Sequence, residues 1–250
     1  MNLFRRRIQT AMQTRGGAAA FSPASIAGLK VWLDTTDAAS VTVATGVSQI
    51  NDLSGNGNHA TQATGSRQPV YTSGQYVTFD GVDDWMEIPA LGSIGANARS
   101  YVARVYFTAS QGAVVVSHFS DGGGTYPGFL LGVGDASGTA AGKRLYGFDN
   151  ANLSTLRRVI TTADQDSADV SVALIRTETS DKIYINGVLN ASLSGASINN
   201  ATDFKTFLGC SAQGNAGPYS NFYAGRLSRA LIYTAELTAA DVLNLYNAGY

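Results

Sequence analysis

The feature that most restricts the fold is a rhythm of short strand signals. From Phe21 onward, runs rich in valine, isoleucine, tyrosine, phenylalanine and threonine are separated by breaks of glycine, asparagine and aspartate. The runs Leu29–Leu33, Tyr76–Phe79, Trp85–Ile88, Tyr101–Phe107, Ala113–His118, Phe129–Val133, Arg144–Phe148, Val170–Arg176, Lys182–Ile185, Thr206–Cys210 and Tyr223–Tyr233 read as strands. Many short strands with turns at such spacing argue for a sandwich or barrel rather than alternating βα units. The sharpest local signal is Ile183-Tyr184-Ile185-Asn186-Gly187-Val188-Leu189. Asn-Gly accepts positive φ at both central positions of a type I′ turn, so a tight hairpin is predicted there.

The C-terminus changes period. Thr238 is placed to cap a helix with Asp241 as its capping-box partner, and Leu237 and Val242 sit where a hydrophobic staple would be. Val242, Leu243, Leu245 and Tyr246 supply the apolar side, and Gly249 is placed to end the helix. One short helix over residues 238–248, packed on a sandwich, is expected. Trp32, Phe79, Leu174, Leu208 and Leu231 are expected in or beside the core.

Before this domain lies a different kind of segment. Residues 1–15 read as a helix with Phe4, Ile8 and Ala11-Met12 on one face and arginines beside them, and Gly16-Gly17-Ala18-Ala19-Ala20 reads as a hinge. The expected organisation is an arm and hinge over residues 1–20 and one sandwich over residues 21–250. An isolated helix this short is marginal in water, and its apolar stripe has nothing of its own to cover it. Docking on another protein through Phe4, Arg5, Arg6, Arg7, Ile8 and Met12 is therefore expected.

Charge supports the division. The 250 residues carry a net charge of −1, yet residues 1–17 hold Arg5, Arg6, Arg7 and Arg15 and no acid, so the remainder carries −5. A near-neutral chain offers no broad field for nucleic acid or an anionic membrane, and four arginines are a generic signal. No run approaches the roughly 18 apolar residues of a membrane span. The N-terminal charge is not followed by an apolar stretch, so it does not read as a secretory signal. The single cysteine, Cys210, excludes an intramolecular disulfide and a cysteine zinc site, and its apolar setting predicts a buried strand residue.

Four segments, in order along the chain, carry a family resemblance. Leu29-Lys30-Val31-Trp32-Leu33-Asp34 is followed by Asp52-Leu53-Ser54-Gly55-Asn56-Gly57-Asn58-His59-Ala60. Then come Val77-Thr78-Phe79-Asp80-Gly81-Val82-Asp83-Asp84-Trp85-Met86 and the ending Gly225-Arg226-Leu227-Ser228-Arg229-Ala230-Leu231-Ile232-Tyr233. In this order they resemble the concanavalin-A-like lectin/glucanase, or laminin-G-like, jelly roll. The resemblance covers roughly residues 25–248 and implies an all-β, two-sheet antiparallel sandwich. The version with these motifs is frequent in phage virion and bacterial surface proteins. Fold does not fix function here, because the jelly roll hosts lectins, hydrolases and adhesive modules alike.

The chemistry narrows the choice. A glycosidase holds two carboxylates about 5–10 Å apart, and hydrolases of this fold usually present them as Glu-x-Asp-x-Glu on one strand. The three glutamates, Glu87, Glu178 and Glu236, form no such pattern. Asp83 and Asp84 are adjacent and would face opposite ways on a strand. His59 falls in a turn and His118 at a strand end, with no G-x-S-x-G elbow near either. No enzymatic activity is expected. Laminin-G-like domains often hold Ca²⁺ at the sandwich rim, so the resemblance implies Asp80, Asp83 and Asp84 as ligands, against a plain turn-capping role. For sugar, which stacks on flat aromatics, the candidates are Tyr126 in the loop Gly122–Gly128 and Tyr219 in the loop Asn215–Asn221.

Together these readings predict a non-enzymatic phage virion structural protein: a multi-copy or homo-oligomeric decoration, fibre or adhesion module. Its arm would meet other virion proteins and its sandwich a host surface glycan. The rivals are a bacterial carbohydrate-binding or cell-surface adhesion module and a divergent polysaccharide hydrolase.

Overall fold

The structure, a computed structural model, describes residues 21–91, 98–107, 111–119, 128–135, 142–150, 156–165, 169–195, 205–212 and 219–250. The arm, its hinge and Tyr126 lie outside the described residues.

Nineteen strands are described. The first seven are β1 (Leu29–Asp34), β2 (Val41–Val43), β3 (Val47–Ile50), β4 (Ala60–Thr61), β5 (Val70–Thr72), β6 (Tyr76–Asp80) and β7 (Met86–Ile88). Then follow β8 (Arg99–Tyr106), β9 (Ala113–Phe119), β10 (Gly128–Gly134), β11 (Arg144–Asn150), β12 (Leu156–Ile160) and β13 (Val170–Arg176). The remainder are β14 (Ser180–Ile185), β15 (Val188–Ser194), β16 (Thr206–Leu208), β17 (Ser211–Ala212), β18 (Tyr219–Ser220) and β19 (Ala224–Tyr233). They build an eight-stranded sheet, β15-β14-β13-β8-β19-β6-β5 with β1 also on β19, and a nine-stranded sheet, β12-β11-β10-β9-β16-β7-β4-β3-β2. β17 and β18 pair separately. Every pairing is antiparallel. The expected two-sheet sandwich is present.

Alternation along the strands sorts side chains between two apolar layers. Val31, Leu33, Phe79, Leu174 and Leu208 bury between the sheets. Tyr101 of β8 stacks on Phe129 of β10 at 4.0 Å between centroids, joining one sheet to the other. The second layer lies on the outer face of the eight-stranded sheet. There Leu231, Val102, Ala173, Tyr184 and Tyr233 pack under a helix, α1 (Ala239–Asn247), with Trp32 partly buried beside them. Trp32 and Leu231 thus belong beneath the helix rather than between the sheets. α1 is capped as its sequence predicts, with the Thr238 hydroxyl and the Asp241 carboxylate bonding each other's backbone N–H. Among the described residues it is the only α-helix.

The hairpin has the expected turn, with φ of 50° at Asn186 and 80° at Gly187. Two readings need correction. Thr206–Cys210 is not one strand: β16 stops at Leu208 because Gly209 takes a φ of 85°, and a Cβ there would lie 2.5 Å from the Phe79 ring. Cys210, just past the turn, is fully buried, and burial pushes its thiol pKa up. Secondly, Phe79-Asp80-Gly81 carries the chain from β6 in one sheet to β7 in the other. Trp85 therefore lies on a crossing between sheets, just before the strand expected to begin with it.

Candidate functional site

The Asp52–Ala60 segment is structural. The buried Asp52 carboxylate accepts from the Trp32 N–H (2.8 Å), the Ser54 N–H (2.9 Å) and hydroxyl (2.7 Å), and the Asn58 N–H (3.0 Å). The Lys30 carbonyl accepts from Ser54, Asn56 and Asn58 side chains. His59 Nδ1 accepts the Asp52 N–H at 2.9 Å, so that nitrogen carries no proton. The motif sews a loop to β1, and its polar groups face inward to that task.

The Phe79–Trp85 corner offers more to a ligand. Asp80 Oδ1 accepts from the N–H groups of Val82, Asp83 and Asp84 at 2.8, 3.3 and 3.4 Å, while Asp84 Oδ2 accepts the Asp80 N–H at 3.0 Å. Asp83 and Asp84 lie in a turn, not on a strand, so they do not point apart. One oxygen from each of the three carboxylates lies within 4.8 Å of the others. Asp84 is 5% exposed, and its pKa is raised to about 6. Burial is the main cause, opposed by the Asp80 N–H and reinforced by the Asp80 and Asp83 charges. The donor set is all oxygen, and each capping carboxylate keeps a second oxygen, which fits a hard cation such as Ca²⁺ completed by carbonyls or water. The same residues cap the turn, so both readings of the motif have structural support.

The raised pKa has a testable sign. The folded state holds the Asp84 proton more tightly than the unfolded chain, so stability falls as pH rises from about 3.8 to about 6, and the penalty persists above that. Asp84→Asn should therefore stabilise the protein at pH 7.5 by about 1–3 kcal/mol in the absence of divalent cations, and by little at pH 3.5. Thermal melts at both values measure this. Millimolar CaCl₂ should raise the wild-type melting temperature at pH 7.5 and leave the variant unmoved. No shift in the wild type would reduce the cluster to a turn cap.

Directly after Asp84, Trp85 stacks on Tyr219 at 4.3 Å with planes 21° apart, and Phe207 meets both rings edge-on at 5.7 Å. Tyr219 is half-buried, so one ring face is already taken by Trp85 and the remainder borders solvent. Burial raises its hydroxyl pKa, with Glu87 adding to the effect. Glu87, opposite Phe207 in the β7/β16 ladder, accepts from Lys205 Nζ at 2.9 and 3.0 Å. The outer face of the nine-stranded sheet thus carries an aromatic stack and an ion pair beside a metal-capable acidic turn. Sequence reasoning singled out Tyr219 and the aspartates but missed Trp85, Glu87 and Lys205 as neighbours; an aromatic immediately after an acidic turn was the available signal.

Glu236 pairs with Lys182 at 2.9 Å and Glu178 is exposed. His118 is fully buried, with Nδ1 3.0 Å from the Thr206 hydroxyl. Burial, with Arg99 adding to it, pushes its pKa down to about 3.

Comparison with known proteins agrees with the architecture. A family model described as the concanavalin A-like lectin/glucanases superfamily matches residues 80–243. No curated protein matches the sequence. Among solved structures, the receptor binding domain of botulinum neurotoxin D is similar with a TM-score of 0.58 and 11% identity, over 88% of this chain and 52% of that one. The binding domain of Paraclostridial Mosquitocidal Protein 1 gives 0.58 and 13%, over 88% and 52%. A Trypanosoma rangeli sialidase in complex with 2,3-difluorosialic acid gives 0.61 and 15%, over 93% and 34%. The chain therefore spans about half the length of the toxin binding domains and a third of the sialidase. At these identities the likeness is one of fold. Among the described residues no helix is long and apolar enough to cross a membrane.

Proposed function

The chain belongs to the concanavalin A-like lectin/glucanases superfamily, and from that premise we propose that it is a non-enzymatic glycan-recognition module of a phage particle. In this reading the sandwich, residues 21–250, projects as a decoration, fibre or adhesion unit and meets a host surface glycan. The arm, residues 1–20, docks on other virion subunits. The observation that carries the recognition role is the half-buried Tyr219 ring, stacked on the buried Trp85 and flanked by Asp80–Asp84 and by the Glu87–Lys205 pair. Aromatic surface for a sugar face, bordered by carboxylates and an ammonium for hydroxyls, is the usual make-up of a saccharide site. Binding-domain relatives in fold support the same role.

The engagement of the two turn-capping aspartates supports the non-enzymatic reading. Asp84 is buried and bonded to the Asp80 backbone, and Asp80 is spent on three turn amides. Both carboxylates are thus committed to holding the turn. Affinity electrophoresis in host polysaccharide should retard the wild type, and Tyr219→Ala should weaken retention by about 1–3 kcal/mol, taking base–aromatic stacking as the guide. Reducing ends should not rise above a heat-killed control. Release of sugar would overturn the non-enzymatic reading, and no retention on any host surface preparation would overturn the recognition role.

The virion role rests on the order of the sequence motifs and on a +4 arm joined to a −5 body. Deleting residues 1–17 should leave a folded sandwich that no longer enters particles, scored by mass spectrometry of purified virions. Normal incorporation of the truncated protein would remove the arm from the argument, and absence of the full-length protein from purified particles would favour a cell-surface module.

A further inference from the structure

α1 and its flanking residues cover only part of the outer face of the eight-stranded sheet. On another part, Thr78, Arg226 and Tyr106 form one row across β6, β19 and β8, with Tyr76 two residues from Thr78 on the same face. The Arg226 guanidinium carbon lies 4.5 Å from the Tyr76 ring centroid and 4.8 Å from that of Tyr106, and all three residues are half-buried. Tyr223, on the opposite face, holds the strands together: its hydroxyl lies 3.1 Å from the Tyr106 carbonyl and 3.3 Å from that of Arg226. The two rings and the guanidinium are therefore positioned before any ligand arrives.

Among the described residues, three arginines lie over aromatic rings. Arg176, over Phe129, is paired with Asp181, and Arg229, over Tyr250, is paired with Asp34. Arg226 has two rings and, among the described residues, no carboxylate on its guanidinium. A planar guanidinium fixed between ring faces still presents its N–H edge, and that edge matches a carboxylate in bidentate fashion. The next same-face pair along the ladder is Asp80 and Ala224, which brings the acidic corner alongside. That negative charge disfavours a dense polyanion such as nucleic acid and tolerates isolated carboxylates.

We propose that this face is a second recognition surface, where the Tyr76–Arg226–Tyr106 sandwich binds the carboxylate of an acidic polysaccharide with spaced uronic acids. The sugar component rests on the glycan-recognition reading above; the carboxylate component rests on Arg226 alone. Tyr76, Tyr106 and Thr78 supply ring faces and hydroxyls for the sugar that carries the charge.

The test is affinity electrophoresis of the full chain in hyaluronate, in its carboxyl methyl ester, in neutral dextran and in polyglutamate. Retardation is expected in hyaluronate only. Arg226→Gln should reduce it at least tenfold, and Arg226→Lys, which keeps the charge but not the fork, should fall between. Thermal melts of both variants separate lost binding from lost folding, and Arg226→Lys carries the test if Arg226→Gln does not fold. Equal retardation by the methyl ester or by polyglutamate would overturn the assignment, as would hyaluronate binding that both variants retain or no hyaluronate binding by the wild type. Retention on neutral host polysaccharide that falls in Tyr219→Ala, beside no retardation of the wild type in hyaluronate, would leave the glycan reading standing and remove this one. Failure on every polysaccharide removes both.

Discussion

Asp181→Ala is expected to lower stability by about 3–5 kcal/mol, on the order of 10 °C in Tm for a chain of this size. Arg176 Nε donates to Asp181 Oδ1 at 2.9 Å, and the two side chains are only 5% and 4% exposed. They are cross-strand partners of β13 and β14, and on the other side Arg176 faces Arg99 of β8, itself buried. Burial lowers the pKa of both arginines. Removing the carboxylate takes this counter-charge from Arg176, which still feels the Arg99 charge, in a medium that screens poorly. Urea unfolding measures the loss. The double change Arg176→Met with Asp181→Leu should recover most of it, since an apolar pair of similar bulk avoids the desolvation cost. A loss below about 1 kcal/mol in the single variant would show that water reaches the pair.

Asp52→Ala should cost about 2–4 kcal/mol. The carboxylate accepts four hydrogen bonds, three of them from backbone N–H groups, and hydrogen bonds to a charged group contribute about 1.5–3 kcal/mol each before relaxation. Asp52→Asn keeps the shape and an acceptor, so it should cost less. Hydrogen exchange should accelerate first at Trp32, Ser54 and Asn58, whose amides lose their partner. Unchanged exchange at those three amides would contradict the account.

The strands that could be read from sequence are those whose apolar runs are long. Val170–Arg176 is legible because all seven residues are buried, yet the run alone does not say why. Val172 and Leu174 face the other sheet, while Ala173 and Ile175 lie in the layer under α1, and a continuous apolar run is what burial on both faces produces. Two-residue strands such as Ala60–Thr61 and Ser211–Ala212 have no period to detect. Nor does exposed-looking chemistry announce burial: Arg176 and Asp181 have the composition of surface residues, and only the fold makes them an interior pair. At the candidate site, the aspartates and Tyr219 could be named from their motif and loop. Their arrangement could not, because Trp85 reaches Tyr219 only after the chain has crossed both sheets, and because a turn rather than a strand carries Asp83 and Asp84.

β19 is bordered by β8 along one edge and by β6 and β1 along the other, with Leu29 opposite Tyr233 and Asp34 opposite Arg229. The earliest described strand therefore waits for one of the latest. Pairings of such high sequence separation lose entropy before contacts repay it, and folds dominated by them form slowly. During synthesis β1, β6 and β8 must persist as unpaired edges until residues 224–233 have emerged, and unpaired edges invite association with other chains. Changes in β19 should thus register first in the yield of soluble protein made in cells, ahead of any change in the equilibrium stability of the molecules that do fold.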